Sequence, residues 1–182
     1  MRQIDVRRAA ERITPLARQT PVVPAPILST LLGGVSVWLK LENLQVTGSF
    51  KVRGAANKIA SLDKEDRERG IVTCSSGNHG RAVAYVAEAL AISATVCVPE
   101  WVDPVKLEAI RQHGAEVVLH GATYDEAEAR SLEIQQERGL AYVHPFDDPL
   151  VIAGQGTIGL ELVEQIPSLS TVVVPLSGGG LI

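Results

Sequence analysis

The sequence has few cysteines, few aromatic residues and no excess of positive charge. Its 182 residues include two Cys, and aromatic residues make up 4% of the chain. Cys74 and Cys97 form no CxxC pair and have no His at metal-ligand spacing, so we expect no metal site and interpret both as small buried hydrophobic residues. The 17 Lys and Arg are outnumbered by 21 Asp and Glu, which gives a net charge of −4. We therefore expect no nucleic-acid partner.

Long apolar runs are also missing. No run approaches the roughly 18 residues that a membrane span needs, and the N-terminal segment MRQIDVRRAAERI is charged and amphipathic. We therefore expect a cytoplasmic protein with no membrane partner. The composition that remains, 46% hydrophobic and 21% charged, is typical of globular proteins and is sufficient for one domain or two small ones.

From Ile71 onward, short β-branched runs alternate with helical patterns. Strands separated by helices of about ten to fifteen residues indicate βαβ units and a parallel sheet, so the predicted fold class is α/β. Two helix starts are marked: Asp103 precedes Pro104 as an N-cap, and Thr123 with Glu126 forms a capping box. The strands are predicted at 71–74, 95–98, 116–119, 141–143 and 171–174.

The first part of the chain predicts a strand at 35–41 and a helix at 49–61. Breaks in composition follow this helix and recur after the strand at 141–143. We therefore predict two domains, a large one formed by 1–68 with 148–182, and a small α/β domain at 69–147.

Lys51 lies in a segment rich in polar residues and glycine that follows a strand. It is either an ordinary exposed lysine in the first turn of a helix or a reactive amine. The positive end of the helix dipole disfavours a cation there and lowers the pKa of the lysine. A lowered pKa suits an amine that acts as nucleophile and base.

Two further loops contain groups that bind anions. The segment Ser75–Gly80 (SSGNHG) follows a buried strand and opens a helix, where hydroxyl, amide and free N–H groups suit a carboxylate. A capped helix with Ser76 or Asn78 as the cap is the simpler alternative. The glycines at 178–180 follow another β-branched run, and their N–H groups can converge on a phosphate. The segment Gly154–Gly159 fits GxGxxG but follows a proline-containing loop, so a dinucleotide site is not favoured.

Four segments in order resemble the β-family (fold type II) of pyridoxal-phosphate enzymes, the tryptophan synthase β-like fold that includes threonine dehydratase, serine dehydratase and serine racemase. They are KLENLQVTGSFKVRGA, SSGNHG, AGQGTIGLE and PLSGGGL. The resemblance covers nearly all of the chain. It implies parallel-type sheets with helices on both faces and two domains.

The resemblance also assigns roles to residues. Lys51 would carry pyridoxal 5'-phosphate as a Schiff base, Phe50 would pack near its ring, and Asn78 would bond the ring hydroxyl. Ser75, Ser76, Asn78 and His79 would hold the substrate carboxylate. The phosphate would bind N–H groups of the loop Ser177, Gly178, Gly179, Gly180 and Leu181. No metal ligand is expected among these residues.

The implied reaction is elimination of ammonia from a β-hydroxy amino acid such as threonine or serine, which gives a 2-oxo acid. The alternatives are an amino acid racemase that uses Lys51 and Ser76 on opposite faces of the substrate, and a non-catalytic ligand-binding module of the same fold. Ser177 departs from the family, where many members have a fourth glycine. Part of the sequence, PFDDPLVIAGQGTIGLE and VPLSGGGL, also resembles dehydratases of hydroxyectoine breakdown.

Members of this family continue well beyond the glycine loop, and we expect a homodimer or larger homo-oligomer for the full-length protein. The resemblance therefore implies that the sequence is part of a longer enzyme, and that the full-length protein is a homo-oligomer that binds a small amino acid.

Overall fold

The computed structural model describes residues 5–182, in which strands alternate with helices. The strands are β1 (Val22–Pro24), β2 (Trp38–Lys40), β3 (Ile71–Cys74), β4 (Ala94–Val98), β5 (Glu116–Leu119) and β6 (Ala141–Tyr142). The helices are α1 (Val6–Ile13), α2 (Pro26–Leu31), α3 (Lys51–Ala60), α4 (Lys64–Arg69), α5 (Asn78–Ala89), α6 (Pro104–Arg111), α7 (Tyr124–Arg138) and α8 (Pro149–Gln165), with a short 3-10 helix at Glu42–Leu44.

Strands β3 to β6 form the parallel sheet that the alternating pattern predicts. Their order is β5-β4-β3-β6, and every neighbouring pair is parallel. All residues of β3 and β4 are buried, as expected for the central strands of a sheet covered by helices on both faces. The α/β class is confirmed. The sheet lies within 69–147, and the division into two domains stays a prediction.

The predicted helix boundaries also match. The Asp103 side chain accepts from the Val105 N–H at 2.7 Å, and Thr123 and Glu126 form the reciprocal bonds of a capping box. At the other end of α7, Gly139 adopts the left-handed conformation at φ +63°. Local capping chemistry therefore sets where these helices start and stop.

The predicted strand at 35–41 is shorter in the structure. Only Trp38–Lys40 pairs, antiparallel to Val22–Pro24. The Val37 N–H donates to the Ser29 hydroxyl at 3.0 Å instead of to a strand, which keeps the preceding residues out of the ladder. The sequence missed β1 because it is short and ends in proline, which signals a turn as readily as an edge strand.

The strand predicted at 171–174 is wrong. This segment has no partner strand among residues 5–182, and Val173 is 92% exposed. A strand exists only through the hydrogen bonds of its ladder, so a β-branched run without a neighbour remains an extended segment.

The GxGxxG match at Gly154–Gly159 lies inside α8, not in a loop between a strand and a helix. A Cβ on Gly154 would lie 2.4 Å from the Arg53 carbonyl oxygen, so this glycine lets α8 pack closely against α3. The structure therefore gives the glycine a packing role and does not provide the turn that a dinucleotide site needs.

The two cysteines are buried hydrophobic residues, as predicted. Cys74 on β3 lies opposite Cys97 on β4, and both side chains are fully buried. Burial raises the pKa of the Cys74 thiol to about 12 and that of Cys97 to about 11, so both stay protonated and poorly nucleophilic near neutral pH. None of the helices formed within residues 5–182 combines the length and apolar character that crossing a membrane requires.

Candidate active site

Lys51 is the first residue of α3 and lies half-buried beside the turn that follows β6. Its Nζ donates to the Pro145 carbonyl oxygen at 2.6 Å and lies 5.4 Å from the centre of the Phe50 ring. Burial lowers the pKa of the Lys51 amine, because the charged form loses hydration. Lys51 is thus not a freely exposed surface lysine. The sequence predicts a lowered pKa from the helix dipole, whereas in the structure the cause of the lowered pKa is burial.

The Ser75–Gly80 loop connects the carboxyl end of β3 to the start of α5. The Gly77 N–H donates to the Ser75 hydroxyl at 3.3 Å, and a Cβ on Gly80 would lie 2.2 Å from the Ser75 carbonyl oxygen. Glycine at position 80 therefore lets the loop fold tightly onto the helix. Ser75 and Ser76 are half-buried and Asn78 is exposed, so all three are accessible beside the free N–H groups of the first turn.

His79 lies inside the protein, with 2% of its surface exposed. Its Nε2 lies 3.1 Å from the Val143 carbonyl oxygen, so Nε2 carries the proton and donates it. Burial lowers the pKa of the His79 imidazole to about 3, which keeps the ring neutral. Since the ring faces the interior, the contact with a substrate carboxylate that we predicted is available to the His79 backbone N–H and not to its side chain.

The glycine loop, Ser177–Leu181, folds against Phe146. A Cβ on Gly178 would lie 2.5 Å from the Phe146 ring, and one on Gly180 would lie 2.6 Å from the Phe146 carbonyl oxygen. Gly179 has φ +85°, a conformation that favours glycine. Side chains at these positions would separate the loop from the turn after β6. Within residues 5–182 the N–H groups of the loop make no backbone hydrogen bond, so they are free to bind an anion.

The segment Val143–Phe146 contacts all three motifs that the sequence singled out. The Val143 carbonyl accepts from His79 and from the Thr73 hydroxyl, and the Pro145 carbonyl accepts from Lys51. Phe146 contacts the glycine loop. The sequence pattern predicts Val143 as the last residue of a strand and marks 144–146 only as a break after it. Its position directly after a strand, at the sheet edge where the Ser75–Gly80 loop also starts, was the signal available.

A buried group of charges beside Lys51 was also missed. Arg53 is 1% exposed and donates to Glu161 Oε1 at 2.5 Å and to Glu42 Oε1 at 2.8 Å. Burial opposes its charge, but the hydrogen bonds to the two carboxylates outweigh burial and raise the pKa of Arg53. Lys40 also pairs with Glu161. Nothing local in the sequence relates Arg53 to Glu161, because 108 positions separate them.

These elements define a class of protein. A half-buried lysine of lowered pKa, a helix start with free N–H groups and a glycine loop meet at one turn of an α/β fold, an arrangement that suits a cofactor that joins a lysine and carries a phosphate. The chain belongs to the family described as pyridoxal-phosphate dependent enzyme, whose model matches residues 13–182.

Individual relatives agree with this assignment. The chain is 47% identical over 178 residues to the L-threonine ammonia-lyase of Thermotoga maritima, a match that covers 98% of this chain and 44% of the relative. The structure is similar to that of maize serine racemase, with a TM-score of 0.91 and 39% identity over 97% of this chain and 54% of the other. It is also similar to threonine deaminase isoform 2 of Solanum lycopersicum, with a TM-score of 0.90 and 39% identity over 97% and 50% of the two chains.

The matches cover only part of each relative. The chain spans about half the length of the relatives that it matches. Pyridoxal phosphate is the cofactor of the family, and the residues described above fit it. The half-buried amine of Lys51 can join the cofactor, and the glycine loop offers unbonded N–H groups to its phosphate.

Proposed function

We propose that the protein is a pyridoxal-phosphate dependent ammonia-lyase that converts a β-hydroxy amino acid, threonine or serine, into a 2-oxo acid and ammonia. The observation that carries the proposal is the meeting of Lys51, the Ser75–Gly80 loop and the glycine loop at Val143–Phe146. The names of the relatives favour threonine, since L-threonine ammonia-lyase and threonine deaminase are among them.

Four parts of the site would hold the cofactor. Lys51 would join it covalently, the Phe50 ring would pack beside it, and the exposed Asn78 amide would bond the ring hydroxyl. The N–H groups of Ser177–Leu181 would bind the phosphate. This arrangement is supported by the short distance from Lys51 Nζ to the Phe50 ring, 5.4 Å, and by the glycines that fold the loop against Phe146.

The remaining groups would act on the substrate. Ser75, Ser76 and the first N–H groups of α5 would fix its carboxylate, because a helix start favours an anion. The bound cofactor supplies an electron sink for the negative charge that develops at Cα. The Lys51 amine would take the Cα proton, and a pKa lowered by burial keeps more of the amine in the neutral form that can do so. Loss of the β-hydroxyl and hydrolysis then yield the 2-oxo acid and ammonia.

Absorbance and product measurements test this proposal together. Adding pyridoxal phosphate should produce the visible absorbance of a lysine adduct, which borohydride abolishes, and threonine or serine should then give a 2-oxo acid. A non-catalytic binding module would give neither turnover nor consumption of amino acid. Absorbance without any 2-oxo acid from threonine, serine or other β-hydroxy amino acids would contradict the lyase.

An amino acid racemase is the second candidate, favoured by the half-exposed Ser76 and by the similarity to a serine racemase structure. A racemase needs a proton donor on the face opposite Lys51, whereas an eliminase does not. Ser76→Ala should therefore keep dehydration. Its KM should rise, because one lost neutral hydrogen bond weakens substrate binding by about 0.5–1.5 kcal/mol. The exposed Ser170→Ala is the matched control. A D-amino acid formed by the wild type and absent in Ser76→Ala would support the racemase instead.

We also propose that the full-length protein is a cytoplasmic homo-oligomer. Support comes from α2 and the turn after it, where Ile27, Leu31, Leu32 and Val35 are exposed together. Large apolar side chains exposed within one short stretch of the chain favour an interface at that element. Light scattering on the full-length protein tests the oligomer, and a monomer would contradict it.

A further inference from the structure

His144 holds the turn that carries the acceptor for the Lys51 amine. Its Nδ1 accepts from the Phe146 N–H at 3.2 Å and from the Asp147 N–H at 2.7 Å. Accepting two donors requires the lone pair of Nδ1, so the ring proton lies on Nε2. These two bonds fix the peptide groups on the C-terminal side of Pro145, whose carbonyl oxygen lies 2.6 Å from Lys51 Nζ.

The same ring supports Phe146. The rings of His144 and Phe146 meet edge to face, with centres 4.7 Å apart and planes at 86°. Phe146 in turn contacts Gly178 and Gly180. One imidazole therefore fixes a turn that meets the lysine amine on one side and the glycine loop on the other.

We propose that His144 is a positioning residue for Lys51, an inference that rests on the proposed function. His144 acts through the Pro145 carbonyl and touches no reacting atom. When Lys51 is not bonded to the cofactor, the bond to Pro145 directs one N–H of the amine to that carbonyl. With one N–H held by that carbonyl, the lone pair of the amine would be oriented toward the bound cofactor and substrate, where the amine would join the cofactor or take the Cα proton.

The proposed role of His144 depends on where its hydrogen-bond acceptor lies in the side chain. Two amide variants test the position of the acceptor independently of the size of the side chain. In Asn, Oδ1 stands two bonds from Cβ, as Nδ1 does in His. In Gln, the acceptor stands three bonds away, where Nε2 is in His. His144→Asn can therefore accept from Phe146 and Asp147, and His144→Gln cannot do so with the same backbone.

The experiment measures three quantities on wild type, His144→Asn and His144→Gln. They are the rate at which visible absorbance appears after pyridoxal phosphate is added to cofactor-free protein, kcat and KM for threonine or serine, and the melting temperature. His144→Gln should slow adduct formation and lower kcat by about tenfold each with KM little changed, since two backbone hydrogen bonds are lost. His144→Asn should stay within about twofold of wild type. The control is His113→Gln, at a surface histidine bonded to Glu88.

Amide hydrogen exchange keeps the test valid if His144→Gln does not fold. The N–H groups of Phe146 and Asp147 should exchange slowly in wild type and in His144→Asn, because both retain an acceptor. Equal adduct rates and kcat in the Asn and Gln variants, or fast exchange at both positions in wild type, would overturn the role of His144. Failure of wild type to form the adduct or to turn over any β-hydroxy amino acid would instead overturn the proposed function.

Discussion

Two cations on α3, Lys51 and Arg53, stand two positions apart in opposite surroundings. Among residues 5–182, Lys51 has one polar partner, a carbonyl oxygen, and burial lowers its pKa. Arg53 has two carboxylates, a hydroxyl and a carbonyl as partners, and its pKa is raised although it is more deeply buried. One turn of helix therefore carries an amine whose pKa is lowered and a guanidinium whose pKa is raised.

The difference shows how the protein keeps a reactive amine in place. Arg53 joins α3 to α8 through Glu161 and to the 3-10 helix through Glu42. With the helix anchored by Arg53, Lys51 needs no carboxylate of its own. A carboxylate beside Lys51 would stabilise its charged form and raise its pKa, which would make it a weaker base at neutral pH. Separate residues thus supply the anchoring of α3 and the amine of lowered pKa.

Lys51→Ala removes the amine of lowered pKa and has the largest expected effect. The lysine adduct should be absent, and turnover should fall by more than about a thousandfold, because a nucleophile and base is lost. Stability should change by only about 1 kcal/mol, the usual value of one hydrogen bond, since Pro145 is the polar partner of this side chain. Absorbance, turnover and thermal unfolding measure the three outcomes. Turnover above a thousandth of wild type would remove Lys51 from the chemistry.

Arg53→Met removes the guanidinium that anchors α3. The variant leaves Glu42 and Glu161 without their guanidinium, and removing one partner of buried charges costs about 3–5 kcal/mol. Urea unfolding measures this loss. Arg53→Lys is the matched control: it keeps the charge but cannot bond both carboxylates in a planar fork, so it should lose less. A loss below about 1 kcal/mol in Arg53→Met would show that the ion pairs do not anchor α3.

Much of the fold and the location of the site could be predicted from local signals. The β-branched runs at 71–74 and 116–119 coincide with β3 and β5, and the caps at Asp103 and Thr123 open helices as expected. Each of these features depends on residues a few positions apart. The motif around Lys51 is local in the same sense, which is why the lysine could be singled out.

Features that depend on distant residues could not be predicted. The strand at 171–174 fails because pairing requires a neighbour that its own sequence does not contain. The bond from Lys51 to Pro145 and the ion pair of Arg53 with Glu161 join residues 94 or more positions apart. Only the pair of Arg53 with Glu42 is closer in sequence. Burial of the His79 ring likewise follows from its contact with Val143, just after β6, and not from the SSGNHG motif.

Gly154→Ala tests the close packing of α8 against α3, the helix that Arg53 anchors. A Cβ there would lie 2.4 Å from the Arg53 carbonyl oxygen and 2.6 Å from Gly54 Cα, and backbone atoms cannot move aside easily. We expect α8 to shift from α3 and stability to fall by about 1–3 kcal/mol. Gly159→Ala in the same helix is the control: a Cβ there meets nothing within 4 Å, so the better helix propensity of alanine should stabilise by up to about 1 kcal/mol. Equal effects at both positions would mean that close packing against α3 does not matter.

The pH dependence of unfolding tests the buried His79, whose ring bonds Val143 in the same segment, Val143–Phe146, that bonds Lys51. Burial lowers the pKa of His79 from 6.5 to about 3, so between these values the unfolded chain binds a proton that the folded protein excludes. The contribution of neutral His79 is complete above pH 6.5 and declines as pH falls, by about 2 kcal/mol between pH 8 and pH 5. His79→Gln keeps a donor for the Val143 carbonyl but does not titrate, so its urea unfolding should lose that much less over the same range. A wild-type and a His79→Gln curve that fall in parallel would show that His79 is protonated as easily in the folded protein as in the unfolded chain.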